Sequence, residues 1–336
     1  MKIYFAPMEG ITGYIYRNAY DHYYGHGCID KYFMPFISPS ENKGFTSKQI
    51  NEILPQNNKC DNLVPQVLTN NSGHFIKTAR MLSEYGYKEI NINMGCPSGT
   101  VVSKYKGAGF LAQPDKIDEF LYNIFASRTV TDNNIKISIK TRLGLEREEE
   151  FENILDVFNR YKLEELIIHP RVRLDYYKNQ PHIEAFEKAA AISRNPVGYN
   201  GDIFTREDYK EFVLKHKNTG SVMAGRGFIA SPWLAVRIRQ INADMDDCEF
   251  NEADERKKLK EFHDTVYGEY LKIMSGDKNV IHKMKEVWSY MKTSFDNCEK
   301  EYKSIKKAQH MYDYEAAVRS VFADCKLIEP ARKHFW

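Results

Sequence analysis

The chain has 336 residues, of which 42% are hydrophobic and 28% are charged, and its formal net charge is +2. This balance is typical of a soluble globular protein and excludes a disordered one, and the length allows one large barrel with a smaller domain or two ordinary domains. Because the net charge is small, any surface that binds nucleic acid must be a local patch.

The chain begins with MKIYFAPMEG, a short apolar segment that ends at Glu9 and Gly10. It is too short for the apolar core of a signal peptide, and no later run is long enough to span a bilayer. We therefore expect a cytoplasmic protein without membrane contact. The six cysteines form no CxxC pair, so neither a metal site nor a disulfide framework is predicted.

From the start to about residue 226, the sequence repeats a short apolar strand, a loop and an amphipathic helix. Strands are expected near residues 2–8, 29–36, 63–68, 89–94, 135–141, 165–170, 196–201 and 221–227. Helices are expected between them, for example over 72–86 and 205–216. This α/β order predicts a TIM (β/α)8 barrel. An open doubly wound sheet is the alternative, although no strand is followed by the GxGxxG of a Rossmann nucleotide site.

Beyond about residue 244 the pattern becomes helical and charged, and no strand is expected. We predict a barrel domain over 1–243 and a smaller all-helical domain over 244–336, with the boundary near 244–254. Within the second domain, the segment KMKEVWSYMK at 283–292 has apolar residues spaced as the core-facing stripe of a helix. The lysines beside that stripe are either a solvated rim or contacts to phosphate groups.

Polar residues follow the ends of most predicted strands, where the active site of a barrel forms. They are Glu9, Gln66, Asn93, Cys96, Lys140, Arg142, His169, Asn200, Asp202 and Arg226. Each could be structural by itself, but their convergence on one rim favours an enzyme. Glycine-rich turns at 200–202 and 225–227 are typical of a phosphate site, so we expect a phosphorylated cofactor with a polar ring across the barrel mouth.

Cys96 lies between Gly95 and Pro97 at the end of the fourth predicted strand. A lone cysteine is commonly a small buried apolar residue. Here the tight turn holds the side chain away from the core. A thiol with an ordinary pKa of about 8.5 is mostly protonated at neutral pH, so this one can serve as an acid.

An ordered series of motifs resembles the tRNA-dihydrouridine synthases, flavoenzymes that reduce selected uridines in tRNA. The motifs are APMEGIT at 6–12, Gln66 in VPQVL, NINMGCP at 91–97, SIKTRLG at 138–144, HPRVR at 169–173, GYNGDI at 198–203 and VMAGRGFIASPWL at 222–234. The resemblance continues more weakly into KMKEVWSYMK, which is similar to the RNA-contacting helix of bacterial members. MEG after the first proline and the order of helices in the tail most resemble the branch that acts at position 16 of the D-loop.

The resemblance implies tightly bound FMN and NADPH as the reductant. It implies that the residues binding FMN are Pro7, Met8, Glu9, Gln66, Lys140, His169, Asn200, Gly201, Asp202, Gly225 and Arg226. A cation at Lys140 would stabilise the anion that forms when flavin is reduced, and Arg226 with the two glycine turns suits a phosphate.

The implied reaction adds hydride to C6 of uracil and a proton to C5, with Cys96 as the general acid. The target base must leave its stack to reach a barrel mouth, and this costs least in a loop. We expect the loop over 95–113 to close over the site. The expected substrate contacts are Asn93, Arg171, Tyr177, Lys283, Lys285 and Lys292. The partners are then tRNA and NADPH, without a metal, and we expect a monomer.

Two departures from the family pattern bear on which uridine is selected. HPRVR stands where HGRT is usual, and NQPH at 179–182 replaces a KGPA-like segment. One alternative function is an FMN barrel that acts on a free pyrimidine, as dihydroorotate dehydrogenases do, but this would leave the helical tail without a purpose. The other is a catalytically silent RNA-binding protein, which the presence of Cys96 and Lys140 opposes.

Overall fold

Parallel strands form a barrel in the computed structural model, which describes residues 1–39, 44–243, 245 and 250–331. The strand segments are β1 Lys2–Phe5, β2 Lys31–Phe33, β3 Leu63–Val64, β4 Gln66–Val67, β5 Glu89–Met94, β6 Lys136–Arg142, β7 Leu166–His169, β8 Val197–Tyr199 and β9 Ser221–Ala224. Their order in the sheet is β3-β2-β1-β9-β8-β7-β6-β5-β4.

The two end segments of this sheet, β3 and β4, are halves of one strand. Pro65 interrupts it because proline has no N–H to donate to the ladder. The sheet therefore closes on itself through the chain at Pro65, and an isolated bridge between Ile37 and Val67 adds to the closure. The predicted eight-stranded TIM barrel is confirmed, and the open doubly wound sheet was wrong.

Helices follow the strands around the outside of the barrel. They are α1 Tyr14–Tyr20, α2 Ser47–Ile53, α3 Ser72–Glu84, α4 Gly99–Val102, α5 Pro114–Phe125, α6 Arg128–Asp132, α7 Glu150–Phe158, α8 Ile183–Ile192, α9 Arg206–Lys215, α10 Arg226–Ala230 and α11 Leu234–Asn242. The two helices that we predicted explicitly are α3 and α9. Side-chain oxygens of Asn71 and Thr205 accept hydrogen bonds from the first turns of these helices and fix where they begin.

The interior of the barrel is apolar on one side and polar on the other. Alternate residues of a strand face opposite sides of a sheet, and in β5 the residues Ile90, Ile92 and Met94 are fully buried with the outer core. Asn91 and Asn93 then face inward. A separate apolar cluster fills the other side and consists of Tyr4, Ala6, Phe33, Val64, Ile167 and Met223. The strand pattern therefore places a band of polar side chains inside the barrel.

The C-terminal tail is helical, as predicted, except for one short ribbon. Its helices are α12 Glu252–Ile273, α13 Asp277–Met291, α14 Glu299–Lys307 and α15 Met311–Asp324. The expectation that the tail has no strand was wrong, because β10 Phe295–Asp296 pairs antiparallel with β11 Lys326–Leu327. Strands of two residues are too short to give a period-two pattern in the sequence.

The tail packs closely against the barrel. Met284, Val287, Trp288 and Met291 are all at most 1% exposed, which confirms the predicted stripe on α13. Phe262 of α12 meets the ring of Tyr16 edge-on at 5.3 Å. Barrel and tail side chains belong to one hydrophobic cluster. The domain boundary predicted near 244–254 falls partly on residues 244 and 246–249, which lie outside the described chain, so the division into domains stays a prediction.

No described helix combines the length and the hydropathy that crossing a bilayer requires.

Candidate active site

The carboxyl ends of the barrel strands bring most of the predicted cofactor residues into one pocket. The predicted residues that line it are Pro7, Met8, Lys140, His169, Tyr177, Asn200, Gly201, Gly225 and Arg226. Ala6, Ile203, Phe204 and Gly227, which we did not predict, complete the lining. Tyr177, predicted as a substrate residue, thus lies beside the residues predicted to hold the cofactor.

One corner of this pocket holds a buried network of two arginines and a carboxylate. Arg171 donates two hydrogen bonds to the carboxylate of Asp202, at 2.9 and 2.7 Å, and Arg226 donates a third at 2.5 Å. Nη1 of Arg226 is buried and has no hydrogen-bond partner among the described residues. Since a buried donor without a partner is costly, this nitrogen is suited to an anionic ligand such as a phosphate.

The backbone around that corner comes unusually close to its neighbours. A Cβ at Gly225 would lie 3.1 Å from both Ala6 Cβ and Met8 Sδ. At Gly227 it would lie 2.0 Å from the carbonyl oxygen of Ile203, which no side chain tolerates. Asn200 stabilises the adjacent strand end by donating to the carbonyl of Met223 at 2.8 Å. Glycine is therefore required where the pocket wall is formed by backbone.

Lys140 presents an ammonium group in the pocket without a counter-ion. No described residue accepts a hydrogen bond from it or forms a salt bridge with it. Burial, together with the positive charge of Arg142, lowers the pKa of Lys140 to about 7. A cation whose charge is so weakly compensated by protein groups is prepared for a ligand that supplies negative charge.

His169 is uncharged in this site. Burial first, and then the surrounding cations beginning with Arg142, hold its pKa well below the ordinary value. Its Nε2 lies 3.1 Å from Nη1 of Arg171. Because a guanidinium can only donate, Nε2 accepts this bond and Nδ1 carries the proton. His169 therefore offers a neutral N–H donor at Nδ1.

Asn93 holds the turn that carries Cys96. Its Oδ1 accepts hydrogen bonds from the backbone N–H groups of Gly95 at 3.0 Å and Cys96 at 2.9 Å. Arg142 donates from Nε to the carbonyl of Gly95 at 3.1 Å. The Cys96 side chain is partly buried, and burial raises the pKa of its thiol. The thiol therefore keeps its proton at neutral pH, as a general acid must.

The segment predicted to close over the site already has regular structure. It contains α4 and a 3-10 helix at Gly107–Ala112. The carbonyl of Cys96 accepts a hydrogen bond from the N–H of Ala108 at 3.0 Å. Closure of this segment stays a prediction.

Two predicted cofactor residues, Gln66 and Glu9, do not line the pocket, and they differ in exposure. Gln66 is fully buried and its amide bonds to Asn91 and Asn93, so it lies beneath the surface of the pocket. Glu9 is exposed in the middle of the loop between β1 and α1. That loop is held by the hydroxyl of Thr12, which accepts from the N–H of Met8 at 2.8 Å.

The three tail lysines proposed to contact tRNA each have a partner within the protein. Lys283 donates to the carbonyl of Gly10, Lys285 donates to that of Ala308 at 2.6 Å, and the ammonium of Lys292 lies 4.5 Å from the ring centre of Tyr302. The Gly10 contact ties α13 to the loop after β1. All three side chains are partly exposed.

Arg171 is buried, whereas a residue that contacts the substrate needs exposed surface. It is 1% exposed, and besides Asp202 it donates to the carbonyl of Asn179 at 2.8 Å. The Tyr177 ring lies 4.4 Å from the guanidinium carbon of Arg226 and is partly exposed. Of these two residues, only Tyr177 has free surface toward the mouth.

Sequence reasoning missed the polar residues that support the site from below. Asn91 and Ser138 are fully buried and hydrogen-bonded to each other at 3.0 Å. The signal was present in the segments EININM and KISIKT, in which polar and apolar residues alternate. Alternation in a strand that helices cover on the outside places polar side chains inside the barrel.

The chain matches the family model described as Dihydrouridine synthase (Dus) over residues 4–324. It is similar to tRNA-dihydrouridine synthase B of Pasteurella multocida, with 29% identity over 236 residues, which cover 69% of this chain and 67% of that protein. It is also similar to tRNA-dihydrouridine(16) synthase of Pseudomonas syringae pv. tomato, with 28% identity over 244 residues, which cover 71% and 74% of the two chains. A solved structure of histamine dehydrogenase from Rhizobium sp. 4-9 resembles the fold alone, with a TM-score of 0.51, 11% identity, and coverage of 72% of this chain and 46% of that one.

Proposed function

The chain belongs to the dihydrouridine synthase family, and from this membership we propose that it reduces the C5=C6 bond of uridines in the D-loop of tRNA. FMN would be its tightly bound cofactor and NADPH its reductant. The observation that carries the proposal is the meeting of a protonated thiol, an uncompensated lysine and a buried arginine with a free donor at one barrel mouth. We further propose that it acts in the cytoplasm as a monomer.

The residues of the pocket fit FMN. The unpartnered Nη1 of Arg226 and the backbone at Gly201 and Gly225 would hold its phosphate. Asp202 keeps Arg226 in place and so supports that contact. Lys140 and the Nδ1–H of His169 would face the polar ring, along with Asn200 and the loop Pro7, Met8 and Glu9. Gln66 would act from beneath, by fixing the amide of Asn93.

FMN bound and reduced in this pocket would supply hydride chemistry, and the remaining requirements fall on residues of the protein. Hydride addition leaves negative charge on the C4 carbonyl and C5, so a proton must reach C5. Cys96 is the group that would donate it, because its thiol is protonated at neutral pH and its turn is held by Asn93. The thiolate that remains lies near the positive charges of Arg142 and Lys140, which stabilise it.

The target uridine must leave its stack to reach Cys96, and the tail would hold the rest of the tRNA. Tyr177 has exposed ring surface at the mouth on which a base can stack. Lys283, Lys285 and Lys292 would exchange part of their internal contacts for phosphate contacts. Arg171 would act indirectly, by holding Asp202 beneath the phosphate corner.

Dihydrouridine formation in unmodified tRNA tests this proposal. The purified protein is incubated with FMN, NADPH and a tRNA transcript, and ribonuclease fragments of the tRNA are analysed by mass spectrometry, which locates the modified position. We expect dihydrouridine in the D-loop with the wild-type protein and almost none with Cys96→Ala. If no dihydrouridine forms while a free pyrimidine is reduced, the proposed substrate is wrong.

A further inference from the structure

A chain of hydrogen bonds runs through the inside of the barrel along β5. From the amino end of the strands to the carboxyl end, Ser138 donates to Glu89 at 2.8 Å and Asn91 donates to Ser138 at 3.0 Å. Gln66 then donates to Asn91 at 2.8 Å, and Asn93 donates to Gln66 at 2.7 Å. Every link crosses from one strand to its neighbour, so the chain connects the opposite ends of the barrel.

Both ends of this chain have fixed roles. At the upper end, Oδ1 of Asn93 accepts from the N–H groups of Gly95 and Cys96. At the lower end, Glu89 accepts from Lys31 at 2.6 Å as well as from Ser138. A carboxylate paired with a lysine can only accept, and a backbone N–H can only donate. All the donors therefore point in one direction, toward Glu89.

This direction determines how each amide is turned. If Asn93 were flipped, its NH2 group would face two N–H donors and the turn of Cys96 would lose both hydrogen bonds. The flip is opposed by Gln66, which offers its oxygen to Asn93 because its own NH2 is bound to Asn91. Gln66, Asn91 and Ser138 are fully buried, so water cannot replace a lost partner at low cost.

We propose that Glu89, at the far end of the barrel, is a positioning residue for Cys96, acting through Ser138, Asn91, Gln66 and Asn93. The functional part of this inference rests on the proposed role of Cys96 as proton donor. Glu89 makes the chain one-directional, the chain fixes the amide of Asn93, and that amide fixes the turn on which the thiol sits. Glu89, Ser138 and Asn91 need not touch the substrate for this effect.

Two substitutions interrupt the chain at different links. In Glu89→Gln the side chain keeps its shape but its amide can donate as well as accept, so the chain loses its single direction. In Ser138→Ala the hydroxyl is removed and the NH2 group of Asn91 loses its acceptor. Ser138→Thr keeps the hydroxyl and serves as the rescue variant. Glu164→Gln is the matched control, since Glu164 pairs with Lys136 at 3.0 Å outside the chain.

The accessibility of Cys96 reports the position of its turn without any turnover. FMN-loaded protein is treated with iodoacetamide, and alkylation of each cysteine is followed by peptide mass spectrometry. We expect Cys96 to react roughly fivefold faster in Glu89→Gln and Ser138→Ala, the effect of losing about one buried hydrogen bond. Glu164→Gln and Ser138→Thr should react as the wild type does. The buried Cys60 should keep its rate in all variants.

Steady-state kinetics provide a second test of the same inference. The rate constant kcat for tRNA reduction should fall in the two chain variants while KM for tRNA is unchanged. Equal alkylation of Cys96 in Glu89→Gln, Ser138→Ala and wild type would overturn the inference, and so would an increase at Cys60 as large as that at Cys96. A wild-type protein that makes no dihydrouridine contradicts the proposed function instead, because alkylation needs no substrate.

Discussion

Two titratable side chains at the barrel mouth, Cys96 and Lys140, have pKa values shifted in directions that suit different tasks. Burial raises the pKa of Cys96, which keeps the proton on the thiol, and burial lowers that of Lys140 to about 7. Arg142 adds to the second shift. One residue therefore holds a proton to give, and the other is a cation that a negative ligand would stabilise.

Replacing Cys96 by alanine should separate binding from chemistry. Removal of a general acid typically slows a reaction by about 10²- to 10⁴-fold, so reoxidation of the reduced flavin by tRNA should slow to this degree. FMN should stay bound, because the phosphate corner at Arg226 is untouched. Stopped-flow absorbance measures both, and Cys60→Ala is the matched control. Near-normal reoxidation in Cys96→Ala would show that the proton comes from elsewhere.

FMN affinity should depend on pH through Lys140. The cation is present below a pH of about 7 and is lost as the pH rises through that value, so affinity should fall from about pH 6 to about pH 8.5. Quenching of flavin fluorescence measures the dissociation constant. Lys140→Arg keeps its charge throughout and should bind with a flatter profile. The same steep profile in Lys140→Met would assign the pH dependence to another group.

At the scale of elements, α13 links the tail to the barrel. Its apolar stripe lies in the core, and Lys283 on its partly exposed side bonds to the loop after β1. This loop also carries Pro7, Met8 and Glu9. One helix therefore contacts the proposed cofactor loop and carries two of the three proposed tRNA contacts, Lys283 and Lys285, while Lys292 follows directly after its end.

Removing the Met284 side chain should destabilise the protein substantially. Met284 is fully buried, and Met→Ala at such a site costs about 2–5 kcal/mol of the free energy of unfolding. His282 lies on the same helix with its side chain 81% exposed, and His282→Ala should change stability by less than about 0.5 kcal/mol. Urea denaturation followed by circular dichroism compares the two. Equal stabilities would mean that the stripe does not carry the packing of the tail.

Removal of the tail lysines should weaken tRNA binding and reduce its dependence on salt. Each phosphate contact contributes up to about one unit to the slope of log affinity against log salt concentration. The double variant Lys285→Ala, Lys292→Ala should therefore lower the slope by about one to two units in filter binding. Lys215→Ala, on α9 of the barrel, is the control. An unchanged slope in the double variant would place the tRNA on another surface.

The sequence predicted the strands well because glycine, proline or a polar residue ends most of them. It did not predict that Pro65 divides one strand, since a proline within an apolar run leaves the pairing on each side undetermined. The sequence also could not predict which groups the tail lysines contact. Lys283 and Gly10 are 273 residues apart, and no local pattern records such a contact.

For the candidate site, the sequence predicted which residues take part but not how they contact one another. Residues at strand ends could be named because the barrel fixes where those ends meet. The burial of Gln66 and Arg171 could not be predicted, because a sequence motif identifies a residue but does not show which side chains pack around it. The inward chain from Glu89 to Asn93 needed the register of β5 against β6, in which Asn91 lies beside Ser138 and Asn93 beside Lys140.

At the scale of the whole molecule, barrel and tail form one packed structure around a shared hydrophobic cluster. The barrel supplies the pocket and the thiol, and the tail supplies three partly exposed lysines, of which Lys283 contacts the loop after β1. A small substrate would need only the pocket and the thiol. The combination is what favours a large, negatively charged substrate such as tRNA.

Anaerobic reoxidation of the reduced, FMN-loaded protein by tRNA that lacks dihydrouridine shows whether tRNA is the substrate of this protein. We expect this tRNA to restore the spectrum of oxidised flavin rapidly, dihydrouridine to appear in its D-loop, and free uridine to act far more slowly. If tRNA leaves the flavin reduced while a free pyrimidine reoxidises it, the protein is not a tRNA-modifying enzyme.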